Sequence, residues 1–204
     1  MVRAVLFDVG GVLEVNPSTR WPERWAARLR LTEADLHGRV ESATAGGDTG
    51  AVTLADVERR VAAALNLDGG EVAELMDDLW TEYVGSLNRR LAAFARSLRP
   101  RFKTGILSNS FVGAREREQS AHDFESMFDA IVYSHEVGLL KPDPAIYTIA
   151  CDRLGVEPRD VLFVDDLRAN CDGARAAGMD AIQFVGTERT IAEIAGRLGG
   201  PAAG

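Results

Sequence analysis

Asp8, Ser108, Asn109, Asp165 and Asp166 each close or follow a run of apolar residues, and Lys141 stands just ahead of a helix start. In "VLFDVGGVLEVN" the run Val5-Leu6-Phe7 is apolar at every position, as in a strand buried on both faces of a parallel sheet, and Asp8 follows it. "GIL" leads into Ser108, Asn109 and Ser110, and "VLFV" leads into Asp165 and Asp166. Ligands of parallel sheets bind at the carboxyl ends of the strands, so these residues are expected to converge on one edge. Three carboxylates gathered there would repel and raise one another's pKa values. A hard divalent cation relieves that repulsion, and Mg²⁺ suits carboxylate and carbonyl oxygens. Ser108 and the backbone amides around Asn109 suit phosphate oxygens, and Lys141 supplies a compact positive charge for the same anion. Taken singly, each has an ordinary alternative: the aspartates as turn caps, Ser108 as a helix N-cap, Lys141 as a surface lysine. Together and in order, they point to chemistry.

The elements needed to hold them are legible. "FKTGILS", "AIVYS", "DVLFVDD" and "DAIQFVG" read as strands, alternating with helical patterns in "GAREREQSAHDF", "DPAIYTIACDRLG" and "RANCDGARAAG". Strands separated by helices of that length predict βαβ units and a parallel sheet. Asp143 is placed to N-cap the helix that Pro144 begins, and Gly178 to end another. Between Glu14 and Arg99 no convincing strand occurs. "PERWAARLRL", "TLADVERRVAAALNL", "GEVAELMDDLWTEYVGSL" and "NRRLAAFARSLR" have helical periodicity, Thr53 and Asp56 are spaced as a capping box, and "TAGGDTGA" is a loop. The expectation is an α/β core of residues 1–14 and 100–204, with a helical subdomain of residues 15–99 inserted after the first strand. The tail "GRLGGPAAG" is expected to fray.

Composition narrows the partners. A net charge of −8 without a basic stripe argues against nucleic acid. Cys151 and Cys171 stand far apart, outside any ligand cluster, and are expected to be buried thiols. No apolar run approaches the ~18 residues of a membrane span, so no membrane partner and a soluble, cytoplasmic protein are expected. The oligomeric state is not legible.

"LFDVGGVL", "ILSNS", "GLLKPDP" and "FVDD" resemble, in order, the four motifs of the haloacid dehalogenase-like hydrolase superfamily. The resemblance covers nearly the whole chain, because the helical insert is similar to that family's cap. It implies a Rossmann-like core under a mobile cap, with Asp8 as a nucleophile that forms an aspartyl-phosphate. It also implies Ser108 and Lys141 holding the transferred group, and Mg²⁺ held by Asp8, the Gly10 carbonyl and Asp166, with Asp165 nearby. The implied substrate is a small phosphorylated metabolite.

One position departs from the pattern. Phosphatases of the family usually carry a second Asp two residues after the nucleophile as acid and base, and this chain has Gly10. Such a group is worth ~10²–10⁴ in rate, most for poor leaving groups. Glu14 is a candidate for a replacement donor or for a side chain of the cap hinge. A 2-haloacid dehalogenase, whose halide leaves without an acid, is a second reading, and a phosphate-binding or regulatory protein of low turnover is a third. Retention of both Asp165 and Asp166 favours the metal-dependent phosphatase.

Overall fold

Five short apolar runs pair side by side to form the centre of the protein. The computed structural model describes residues 1–199. The chain runs β1 (Ala4–Phe7), β2 (Glu14–Val15), α1 (Trp21–Leu29), α2 (Glu33–Thr44), α3 (Leu54–Leu65) and α4 (Gly69–Val84). It continues through β3 (Ser86–Leu87), α5 (Arg89–Ser97), β4 (Lys103–Ser108), α6 (Ala114–His122), α7 (Phe124–Met127), β5 (Ala130–Tyr133) and α8 (Ser134–Val137). It ends with α9 (Pro144–Leu154), a single 3₁₀ turn (Pro158–Asp160), β6 (Val161–Asp165), α10 (Arg168–Ala176), β7 (Asp180–Gln183) and α11 (Thr187–Arg197).

The main sheet has the order β5-β4-β1-β6-β7 and every pairing is parallel. Side chains alternate across it with period two. Val5, Phe7, Ile106, Leu162 and Val164 face Leu91, Ala95, Ile191 and Ile194 of α5 and α11. Ala4, Leu6, Leu107 and Phe163 face Tyr147, Cys151, Cys171 and Ala174 of α9 and α10. Both faces are covered, which is why the strands read as unbroken apolar runs. Both cysteines are buried and free. The α/β class and the parallel sheet agree with expectation.

The helices α1–α4 bury their apolar stripes on one another, with Trp25, Leu36, Val57, Val61 and Leu75 at the centre. Capping boxes start α3 (Thr53 with Asp56) and α4 (Asp68 with Glu71), each satisfying two otherwise orphaned amides. The block joins the sheet through the β2–β3 pair, with Glu14 opposite Leu87 and Val15 opposite Ser86. It also rests on Val112 and Ala114, which follow β4. Helix α5, although inside the 15–99 segment, packs on the sheet rather than on α1–α4.

Details differ from expectation. Helices α2 and α11 occur in segments without a predicted element, and the two-residue strands β2 and β3 lie in a stretch expected to be strand-free. Helix α10 ends at Ala176 with Ala177 as its C-cap, and Gly178 follows in the left-handed region. Residues 196 and 197 of the expected frayed tail are helical, and residues 200–204 lie outside the described residues. No helix among the described residues is long and apolar enough to cross a membrane.

Candidate active site

Strand β1 is the switch point of the sheet, with β4 on one side and β6 on the other, and the crevice there is where such folds place a ligand. Asp8 leaves β1 at that crevice, Ser108 ends β4, and Asp165 ends β6. All three are buried. Lys141 reaches them from the turn before α9, where Asp143 accepts the Ala145 amide and Pro144 opens the helix.

The buried Lys141 ammonium is the hub of the cluster. Its Nζ lies 2.8 Å from Asp8 Oδ1 and 2.7 Å from Asp165 Oδ2, and it donates to the Leu107 carbonyl at 3.0 Å. Three donors on one ammonium are therefore all engaged. Asn109 fixes the lysine from behind. Its Oδ1 accepts the Lys141 amide at 2.7 Å, and its Nδ2 donates to the Lys141 carbonyl at 3.0 Å. The Asn109 side chain thus positions Lys141, leaving its backbone for an anion.

Asp165 and Asp166 have different surroundings. Asp165 is fully buried and both its oxygens are occupied: Leu167 N–H donates to Oδ1 at 2.8 Å, and Asn170 Nδ2 lies 3.0 and 3.1 Å from the two oxygens. Asp166 is half-buried and turned toward Gly11. Carboxylate oxygens of Asp8, Asp165 and Asp166 all lie within 4.8 Å of one another.

The electrostatics follow from that crowding. Burial pushes the Asp8 carboxyl up to about 7 against the pull of Lys141, with Asp165 adding repulsion. Burial also raises Asp166, again with repulsion from Asp165. Burial alone would lower Lys141, but Asp8 and Asp165 outweigh it and hold the ammonium above its usual pKa. Three carboxylates against one ammonium leave an excess of negative charge on hard oxygen donors. That donor set fits Mg²⁺, and Asp8 and Asp166 are the carboxylates with oxygens to offer it.

Ser110 serves the frame of the site. Its Oγ lies 2.7 Å from His135 Nδ1, and its amide donates to Ser134 Oγ at 2.8 Å. Ser134 in turn donates to the Asp48 carbonyl at 2.7 Å, tying the loop of the helical block to the sheet.

A second acidic group borders the site, made of Glu14, a candidate from the sequence, and Glu118, which the sequence did not single out. Glu14 and Glu118 are both buried. Glu14 Oε1 lies 3.2 Å from His122 Nε2 but out of hydrogen-bond alignment, and has no hydrogen-bond partner among the described residues. The Tyr133 hydroxyl donates to Glu118 Oε2. Burial raises Glu14 to about 9, with repulsion from Glu118 and Asp8, and raises Glu118 to about 7. The i+5 spacing of Asn170 from Asp165 was likewise uninformative in advance, because an Asn in a first helical turn is ordinary.

A family model described as haloacid dehalogenase-like hydrolase matches residues 2–178. Phosphatase MT3486 of Mycobacterium tuberculosis is 38% identical over 194 residues, 88% of this chain and 86% of that protein. Mouse acyl-CoA dehydrogenase family member 10 is 26% identical over 211 residues, 98% of this chain but 19% of its own length. The chain spans well under half the length of several of the curated relatives it matches. In fold it is similar to a HAD family enzyme of Bacteroides thetaiotaomicron solved with magnesium and inorganic phosphate. The TM-score is 0.75 at 19% identity, over 90% of this chain and 94% of that one. The matched span begins before Asp8 and ends beyond Asn170, so it takes in the whole cluster, and the chain belongs to the haloacid dehalogenase-like hydrolases.

Proposed function

We propose that this hydrolase is a Mg²⁺-dependent phosphatase of a small phosphorylated metabolite, working through an aspartyl-phosphate on Asp8. The observation that carries the proposal is the buried Lys141 bridging Asp8 and Asp165, with Asp166 completing a carboxylate cluster within 4.8 Å. The phosphatase named among its relatives, and the magnesium and phosphate in the Bacteroides enzyme, support the same reading. Residues 15 to about 87 act as the cap, and residues 1–14 with those from about 88 to 199 act as the catalytic core.

Asp8 attacks phosphorus through one carboxylate oxygen, forming the Asp8 O–P bond while the bond from phosphorus to the leaving oxygen breaks. Water then attacks the acyl phosphate, releasing inorganic phosphate and restoring the Asp8 carboxylate. The Lys141 donor to Asp8 turns to the phosphoryl group as Asp8 attacks. Lys141 and the Ser108 hydroxyl then hold the phosphoryl oxygens, and Asp165 keeps the ammonium aimed. Bound Mg²⁺, held by Asp8, the Gly10 carbonyl and Asp166 with Asp165 behind them, would neutralise charge on the transferring oxygens. Gly10 brings no proton to the leaving oxygen, so substrates with good leaving groups turn over fastest.

A phosphate-release screen over a metabolite panel, with Mg²⁺ and with EDTA, tests this directly. Turnover should need Mg²⁺ and disappear in Asp8→Asn, which should also lose the beryllium trifluoride binding of the wild type. Chloride release from 2-chloropropionate in EDTA would instead establish a dehalogenase. Tight phosphate binding without turnover of any substrate would establish a binding protein.

A further inference from the structure

Depressions at the amino edge of the sheet (Arg3, Arg101, Lys103) and between α2 and α3 (Arg39, Arg60) are lined by charged residues. The first lies at the opposite end of β1 from Asp8. A third cavity, of about 230 Å³, is different in position and in chemistry. Val40 and Thr44 of α2 form one wall, Leu79, Trp80 and Tyr83 of α4 another, and Phe111 from the loop after β4 a third. Phe111 stands three residues beyond Ser108. Asn16 ties the α4 wall to the catalytic loop: its Oδ1 accepts the Gly11 amide at 3.4 Å, and its Nδ2 donates to the Glu82 and Tyr83 carbonyls. Burial holds the Tyr83 phenol well above its usual pKa, and the charges of Glu118, Glu14 and, least, Asp8 add to the effect.

The lining offers little to a polar guest. The Thr44 hydroxyl is spent on the Val40 carbonyl at 2.9 Å. Trp80 packs edge-on to Tyr83 and Phe111, with centroids 5.2 and 6.2 Å away, so aromatic surface dominates. Trp80 Nε1 is buried without a hydrogen-bond partner among the described residues. The volume falls below the roughly 300 Å³ of the smallest pockets that take a whole drug-sized ligand. It fits the body of a leaving group whose phosphoryl end sits outside, at Asp8.

We propose that this cavity seats the leaving group, and that the substrates are phosphate monoesters with an apolar body. Aromatic ones turn over faster than alkyl ones, because Gly10 brings no proton to the leaving oxygen. The proposal rests on the phosphatase reading of Asp8 and deepens it. A sugar phosphate would bury several hydroxyls against a wall that is mostly carbon, and each hydroxyl buried without a partner weakens binding. An apolar body meets no such penalty and gains from every methylene buried.

Alkylphosphonates from methyl to octyl test this, because their C–P bond resists hydrolysis and binding can be read by calorimetry on the wild-type protein with Mg²⁺. The dissociation constant should fall about fourfold per added methylene until the cavity is full, then level off. A terminal hydroxyl on the propyl compound should weaken binding by at least about tenfold. Leu79→Asp should flatten the chain-length dependence. Leu79 is partly exposed, and Leu79→Ser is the milder variant should the aspartate disturb folding. Affinity independent of chain length in the wild type, or a full gradient surviving in a folded Leu79 variant, would overturn the cavity assignment while leaving Asp8 chemistry intact. Failure of the whole series to bind, methylphosphonate included, would overturn the phosphatase reading and the cavity assignment together.

Discussion

Gly11 and Asp166 meet at the mouth of the site: a Cβ on Gly11, whose φ is +73°, would stand 2.8 Å from Asp166 Oδ2. A Cβ on Gly10 would meet nothing within 4 Å, and Gly10 is not among the glycines with positive φ. The two adjacent glycines after the proposed nucleophile therefore have different causes. Gly11 is demanded by its backbone and by the Asp166 carboxylate, and Gly10 by neither.

Gly11→Ala should accordingly strain the backbone by about 1–2 kcal/mol and displace Asp166. The melting temperature should fall by roughly 2–8 °C, and Mg²⁺ affinity, read by calorimetry, by an order of magnitude or so. Gly10→Ala should match the wild type in both. Equal effects at the two positions would mean that the Gly11–Asp166 contact does not shape the cation site.

Asp165 and Asp166 should separate in the same way. Asp165→Ala removes the partner that Lys141 meets at 2.7 Å inside the protein, and breaking a buried pair costs about 3–5 kcal/mol. Asp166→Asn removes a half-buried charge that Asp165 already repels, so without metal its stability should equal or exceed that of the wild type. Its melting temperature should no longer rise with added Mg²⁺. Thermal denaturation of both variants, with and without Mg²⁺, checks the pair; a large loss of stability in Asp166→Asn without metal would contradict the assignment.

What was legible in the sequence was whatever needs only neighbouring residues. Asp8, Asp165 and Asp166 stood out because each follows a strand buried on both faces, and Asp143-Pro144 and Thr53-Asp56 because capping is local. Helix α2 was not legible because it buries only Leu36, Val40 and Ala43 and carries Gly38 in its middle. The β2–β3 pair has two residues per strand, too few for any period to register. Glu14 and Glu118 are 104 residues apart and both are buried in the fold, beside His122 and Tyr133. Nothing in "VLEVN" or "REREQ" announces a carboxyl hidden from water.

That hidden pair should leave a mark on stability against pH. Folding raises Glu14 from 4.5 to about 9 and Glu118 from 4.5 to about 7, so the folded state binds their protons more tightly than the unfolded state does. Their contribution is most favourable below about pH 4.5 and is lost as pH rises through 7 and 9. Glu14→Gln keeps the shape and removes the titration. Between pH 7 and 9 its melting temperature should fall less than that of the wild type, and at pH 9 it should be higher by something of the order of 5–10 °C. Parallel curves for the two proteins over that range would show that Glu14 is ionised in the fold.

Gly10 is the position where chemistry itself can be added. Because a side chain there meets no atom and no backbone strain, Gly10→Asp should fold as the wild type does and place a carboxyl two residues from Asp8. A positioned acid and base is worth about 10²–10⁴ where the departing oxygen is basic, and little where it is already a stable anion. Hexyl phosphate, with an alkoxide leaving group, should therefore gain by roughly 10²-fold in kcat, and p-nitrophenyl or acetyl phosphate by only a few-fold. Gly10→Ala, measured on the same substrates, separates the carboxyl from the mere presence of a Cβ. The pH profile should change as well, gaining a limb for the new carboxyl on the alkyl substrate alone. A uniform gain across leaving groups would point to a shift of the cation site rather than to proton transfer. A folded Gly10→Asp with no gain on the alkyl phosphate would show that the leaving oxygen already receives its proton from another group.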